Sequence, residues 1–363
     1  MSPETSPLFT PLRVGRTTTR NRVWLSPMCQ YSCLERDGMP NNWHFSHLTG
    51  FAAGGFGLVM TEATAVVPEG RISDRDTGIW SRAQGEAWAQ IVSAINERGA
   101  TAGIQLAHAG RKASTYAPWG ETAQGTIPVA DGGWQTVAPS PIEFGRLDAP
   151  RQLESAEIDD IVTAFADAAA RAVDAGFDVV ELHAAHGYLL HQFLSPASNT
   201  RTDEYGGNAE NRARLLIRVV EAVRSAIGDT ALMVRLSGTD WSDAETERWD
   251  ADACAAVASR AEAAGADGFD ISSGGILTNA QIPLEAGYQV QFATRVRDAV
   301  SVPVSAVGLI EDASFAEQLV ASQRADAVML GRAALRNPQC ANAWASQLHA
   351  PTSFVPGQYE RAY

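Results

Sequence analysis

The chain has 363 residues, 45% of them hydrophobic and 19% charged, and a formal net charge of −14. That acidity argues against wholesale binding to nucleic acid or to an anionic membrane, whose phosphates would be repelled. No stretch approaches the roughly 20 apolar residues of a membrane-spanning helix, and Met1-Ser-Pro-Glu-Thr lacks the charged and apolar regions of a secretion signal, so a soluble, cytoplasmic protein is expected.

Short apolar runs at Val23–Ser26, Gly57–Thr61, Thr101–Leu106, Asp178–Leu182, Ala231–Leu236, Gly268–Ile271, Val302–Ala306 and Ala327–Leu330 read as buried strands. Helical patterns lie between most of them. In Ser155–Ala175 the apolar residues Ile158, Ile161, Val162, Phe165, Ala169, Ala172 and Val173 keep three-and-four spacing, with Glu154 and Ser155 at the start and Gly176 at the end. Ala209–Ile227, Ala251–Ala264, Gln289–Val300 and Ala313–Ala321 read the same way. One phrase recurs at the helix-to-strand turns, Ala175-Gly-Phe-Asp-Val-Val, Ala264-Gly-Ala-Asp-Gly-Phe and Ser322-Gln-Arg-Ala-Asp-Ala-Val, each with an Asp just before the strand. About eight strands built from one repeated βα unit favour an α/β fold of the (β/α)₈ TIM-barrel type over a doubly wound open sheet. No Gly-x-Gly-x-x-Gly follows an early strand to support the latter. Two connections, His108–Leu153 and Ala184–Asn208, are far longer than usual and would cap the carboxyl-terminal face. No low-complexity linker divides the chain, so a single domain over 1–363 is expected.

Chemistry concentrates where strands end. His183-Ala-Ala-His186-Gly-Tyr188 directly follows an apolar run, offering two imidazoles and a phenol that can hydrogen-bond to an oxygen, the phenol also delivering a proton. His183 and His186 could instead hold zinc, but no obvious third ligand accompanies them. Gly308 follows the seventh strand and Gly331-Arg332 the eighth, the usual phosphate position in such barrels. There glycines admit backbone N–H groups and Arg332 can pair with the anion bidentately. Cys29, Cys33, Cys254 and Cys340 form no Cys-x-x-Cys pair, so a disulfide framework, structural zinc or an iron–sulfur cluster is not expected.

Five strings, Ser26-Pro-Met-Cys-Gln-Tyr31, Gln105-Leu-Ala-His-Ala-Gly-Arg-Lys112, His183-Ala-Ala-His-Gly-Tyr188, Leu194-Ser-Pro-Ala-Ser-Asn-Thr-Arg-Thr-Asp-Glu-Tyr-Gly-Gly207 and Gly331-Arg332, together resemble the old yellow enzyme family of FMN-dependent ene-reductases. Cys29 with Tyr31, and the tail Gln358-Tyr-Glu-Arg-Ala-Tyr363, resemble its xenobiotic-reductase and thermophilic-type branch. The resemblance implies FMN at the carboxyl end of the barrel, with Ser26, Pro27, Met28, Cys29, Ala63, Gln105, Arg235, Gly308, Gly331 and Arg332 around it. Arg235 would stabilise the reduced flavin anion, with a structural ion pair at the barrel rim as the alternative. It further implies NADPH or NADH as reductant and a small activated alkene as substrate. His183 and His186 would hold the substrate's carbonyl or nitro oxygen, Tyr188 would protonate its α-carbon, and Tyr31 would add a hydrogen bond. Cys29 would tune the flavin through its polarisable sulfur. Arg361 and Tyr363 would reach a neighbouring subunit's site, with Arg336 near the boundary, implying a homodimer or tetramer. The departures are His186, where some relatives carry Asn, and Tyr363, where Trp is common. A flavin-binding sensor without turnover and a metal-dependent hydrolase on the same barrel are the alternative functions.

Overall fold

The computed structural model describes residues 6–363 apart from 245–246 and 353. Eight parallel strands close into one barrel: β1 Val23–Leu25, β2 Leu58–Ala65, β3 Thr101–Ala107, β4 Val179–Ala184, β5 Ala231–Ser237, β6 Gly268–Ser272, β7 Val304–Ala306 and β8 Ala327–Leu330. Each strand pairs with the next, and β8 pairs back onto β1 through Val328 opposite Val23. Helices α1 Asn42–Ala53, α2 Arg82–Asn96, α3 Ser155–Asp174, α4 Leu189–Leu194, α5 Ala209–Ile227, α6 Ala251–Ala263, α7 Val290–Arg297, α8 Ala313–Ala321, α9 Arg332–Arg336 and α10 Cys340–Gln347 accompany them. The fold is the expected (β/α)₈ barrel. Among the described residues no helix is long and apolar enough to cross a membrane.

The main apolar core lies between the strands and the helix ring, where Phe165, Leu215, Val219 and Ile104 are fully buried. A second cluster takes alternate residues of the strands, Trp24, Met60, Val179, Met233 and Met329, with Val14. Val14 belongs to a hairpin, Leu12–Val14 paired with Thr17–Thr19, ahead of the barrel. Successive strand side chains point to opposite faces, so β4 sends Val179, Glu181 and His183 one way and β5 sends Ala231, Met233 and Arg235. Both series run from apolar to polar toward the carboxyl end. Several strands extend past the apolar runs that marked them, β2 from Thr61 to Ala65, β4 from Leu182 to Ala184 and β5 from Leu236 to Ser237. Strand β7 starts late, at Val304, because Pro303 lacks the N–H a ladder position needs.

The recurrent Asp of the helix-to-strand phrase has a definite task. Asp178 accepts from the Ala102 N–H at 2.9 Å, Asp267 from the Leu232 N–H at 2.9 Å, and Asp326 from the Val304 N–H at 2.9 Å. Each Asp thus fastens the start of the preceding strand to the start of its own. Their own N–H groups return the bond to the carbonyls of Ala102, Leu232 and Val304. Replacing Asp178 with Ala leaves one N–H without its partner. It should lower unfolding stability by about 1–3 kcal/mol in urea titration, whereas Asp178→Asn, which keeps an acceptor, should retain most of it.

Candidate active site

At the carboxyl end of the barrel the inward side chains are charged and buried. Arg235 Nε lies 2.8 Å from Asp270 Oδ2 across paired strands, and its Nη2 donates to Ser26 Oγ at 3.1 Å. Asp270 Oδ1 accepts from Ser305 Oγ at 3.2 Å. The ion pair that was the alternative reading of Arg235 is present, and Arg235 also lines the cavity of the site. Next to it Gln105 Nε2 donates to Glu181 Oε1 at 2.7 Å, which leaves the Gln105 carbonyl oxygen as its unspent acceptor. Burial, with Asp270 close by, pushes the Glu181 carboxyl upward, and Arg235 pulls the other way.

The His183–Tyr188 segment leaves β4 through a left-handed turn. His186 has φ +57° and Gly187 φ +73°. A Cβ on Gly187 would stand 2.0 Å from the Gly275 carbonyl oxygen, so only glycine fits. Four side chains hold the turn: His186 N–H donates to Ser237 Oγ at 3.0 Å and Gly187 N–H to His191 Nδ1 at 3.0 Å, while Lys112 Nζ donates to the His186 carbonyl at 2.7 Å and Gln192 Nε2 to the Gly187 carbonyl at 2.7 Å. The His183 ring packs edge-on against His186 at 5.1 Å and against Tyr188 at 4.9 Å. His183 Nδ1 accepts from the Ala185 N–H at 3.3 Å, which places its proton on Nε2. His186 Nε2 is paired with Ser272 Oγ at 2.7 Å, leaving Nδ1 as its remaining polar atom. Burial first and the Arg235 charge second hold both imidazoles well below their usual range, so both are neutral. Burial, reinforced by Cys29 and Asp76, keeps the Tyr188 phenol protonated.

The segment after β1 supplies the facing wall. Ala63, Ile72, Ala107, Ala109 and Ala113 form a buried cluster on which Cys29, Tyr31 and Tyr188 pack together. Tyr31 sits at φ +49°, and the preceding Gln30 N–H donates to Glu62 Oε2 at 2.9 Å. Burial, then Asp76 and Glu62, push the Cys29 thiol well up, so it remains a neutral thiol. Burial likewise raises the Tyr31 phenol.

A cavity of about 200 Å³ runs from His186, Arg235 and Ser272 to Gly308, Gly331 and Arg332. It therefore joins the charged barrel mouth to the glycine end read from sequence as a phosphate position. Gly308 holds φ +123°. A Cβ on Gly331 would meet only Met28 Sδ, at 3.6 Å, so the space before this backbone is open. Helix α9 starts at Arg332, leaving first-turn N–H groups without intrahelical partners. An elongated group with an anionic end and a polar ring fits this donor set. Arg361 and Tyr363 are not among the cavity's lining residues. Both are exposed on a tail whose Phe354 stacks on Phe9 and lies under Arg20. Arg336 is exposed and bonded to Glu311.

Sequence reading passed over Glu181, Asp270, Ser272, Lys112 and Asp76. For the first two a signal existed, a carboxylate inside an apolar strand of alternating register. Lys112 lies inside the Gln105–Lys112 string, but nothing local marks it as reaching the His186–Gly187 turn.

A family profile described as NADH:flavin oxidoreductase / NADH oxidase matches residues 7–350. The NADPH dehydrogenase of Bacillus subtilis is 42% identical over 357 residues, covering 98% of this chain and 99% of its own. A solved old yellow enzyme homologue from Zymomonas mobilis superposes with a TM-score of 0.79 at 28% identity, over 95% of this chain and 93% of that one. A 2-naphthoyl-CoA reductase superposes at 0.83 with 25% identity, covering 96% of this chain but 53% of that longer one. Barrel, cavity and relatives agree: the chain belongs to the NADH:flavin oxidoreductase / NADH oxidase family, the old yellow enzyme group, and is an NAD(P)H oxidoreductase with FMN as cofactor.

Proposed function

We propose that the enzyme reduces the activated C=C bond of α,β-unsaturated carbonyl compounds, and of nitroalkenes, with electrons from NADH or NADPH. The observation that carries this reading is Tyr188, a half-buried phenol held protonated with its ring 4.9 Å from that of the neutral His183. FMN, when bound, supplies hydride. Gly308, Gly331 and Arg332 would hold its phosphate, and Gln105, Arg235, Ala63 and the Ser26–Cys29 segment (Ser26, Pro27, Met28 and Cys29) its ring. A fixed guanidinium at Arg235 favours negative charge on that ring.

The substrate oxygen accepts an N–H from His183 and one from His186, with Tyr31 as a third donor. Neutral imidazoles donate without giving up their proton, and they draw electron density from the far alkene carbon. The Tyr188 O–H bond then breaks and its proton goes to the α-carbon from the face opposite the hydride. The electron pair stays on the phenol oxygen, and water later returns the proton. Arg361 and Tyr363 would complete the site of a neighbouring subunit in a homodimer or tetramer. Their exposure and their place outside their own cavity support this reading.

The test is an anaerobic titration in which NADPH bleaches the flavin absorbance and cyclohexenone restores it. Bleaching without recovery would overturn the alkene reading. Tyr188→Phe should slow the recovery step by about 10²-fold or more while leaving bleaching within about twofold; equal loss of both would contradict the proton-donor role. Gly331→Val fills the open space before the α9 start. It should weaken FMN retention about tenfold or more by flavin fluorescence on dilution, and unchanged retention would displace the phosphate from this end.

A further inference from the structure

Among its 28 basic residues the chain has 27 arginines and a single lysine, Lys112. That one lysine is half-buried at the carboxyl end of the barrel. Nζ donates to the His186 carbonyl at 2.7 Å and to the Gly275 carbonyl at 3.1 Å. It also lies 5.0 Å from the centre of the Tyr188 ring and 4.5 Å from that of Phe144. No carboxylate pairs with it among the described residues. Taking an ion out of water with only neutral partners is costly, and a guanidinium supplies the charge but, unlike an ammonium, does not lose its proton near neutrality.

We propose that Lys112 is a positioning residue for the proton-donating step. Its protonated amine ties the left-handed His186–Gly187 turn to the Gly275 loop and faces the Tyr188 ring, so reduction of the alkene depends on that charge and reduction of the flavin does not. The inference rests on the function proposed above. The group that becomes anionic in that reaction is Tyr188, once its O–H electron pair stays on oxygen. Lys112 supplies the facing positive charge, and water then reprotonates the phenol.

The charged and titratable neighbours from each packed element are few. Arg111, beside it in sequence, is spent on the carbonyls of Ile142, Glu143 and Ile276. From the end of β4 come His183 and His186, both neutral, and Tyr188, protonated. The Gly275 loop offers a carbonyl and the 142–144 segment the Phe144 ring. Burial, then Arg111, draw Lys112 down to about 7, so it is the group in this set that titrates near neutrality. Its positive charge is present below that pH and lost above it.

A single lysine makes the test direct. In the FMN-loaded enzyme labelled with ¹³C at lysine Cε, one side-chain signal reports Lys112, and it should titrate near pH 7. Stopped-flow measurement of the two half-reactions from about pH 5.5 to 9 should show reoxidation by cyclohexenone falling as pH rises through that midpoint, with reduction by NADPH flat. Lys112→Met should slow reoxidation about tenfold at the acid end and abolish the falling limb. Lys112→Arg should restore much of the acid-end rate with no limb. A lysine signal titrating above about pH 9, a limb that survives in Lys112→Met, or equal loss of both half-reactions would each overturn the proposal. Failure of cyclohexenone to reoxidise the unmodified enzyme would instead overturn the alkene reading, so the two failures are distinguishable.

Discussion

The Arg235–Asp270 pair sets the electrostatics of the barrel mouth. The two residues are partners in the β5–β6 register, and Arg235 stands opposite His183 on the other side. Both are buried, so each needs the other to offset lost solvation, and removing one would strand the other. Ser26 and Ser305 take the remaining polar contacts. With that charge fixed, its surroundings follow. After burial itself, Arg235 is the next influence holding His183 and His186 neutral, and it opposes the rise of Glu181 and Tyr188. One guanidinium thus presents a cation to the cavity and keeps its histidine neighbours from becoming cations.

Around that centre, two buried imidazole–carboxylate pairs hold the strained segments that carry the site. His191 accepts from the Gly187 N–H with Nδ1, which puts its proton on Nε2, 3.1 Å from Asp240. His44 accepts from the Asn41 N–H with Nδ1 and turns Nε2 to Glu62 at 3.2 Å. Glu62 in turn accepts from Gln30, next to the left-handed Tyr31. A residue with positive φ and a side chain costs roughly 1–3 kcal/mol and persists where its surroundings over-determine it. Both pairs provide such over-determination for residues facing the same space.

The barrel was legible because its signals are periodic and local: the apolar runs, the three-and-four spacing of Ser155–Ala175, and the repeated Asp phrase. Ala209–Ile227 and Ala313–Ala321 form helices with the expected bounds. The cluster His183, His186 and Tyr188 was legible because three reactive groups crowd one strand end. The chemistry beneath them was not. Asp270 and Arg235 lie 35 residues apart and Lys112 and His186 lie 74 apart, so only closure of the barrel reveals which charge faces which turn. The Ser272 partner of His186 was hidden for the same reason, since it comes from a different strand. Arg361 and Tyr363 show a different limit, because a tail exposed on one chain gives no internal contact to argue from.

These placements give the site a direction. Asp76 and Glu62 stand toward the Cys29 and Tyr31 wall, and Arg235 and Lys112 toward the histidine wall. Charge interactions of this kind fall with distance but are weakly screened in a buried site. After burial, Asp76 opposes ionisation of both Cys29 and Tyr188 and Glu62 opposes it at Cys29, while burial and Glu62 push the Asp76 carboxyl itself well up. The fixed cation favours negative charge in the space that Arg235 and His186 line together. A proton leaving Tyr188 therefore leaves a charge that the acid wall disfavours and the basic wall supports. The two walls act in opposite directions on one phenol: burial and Asp76 hold its proton, and Arg235 draws the other way.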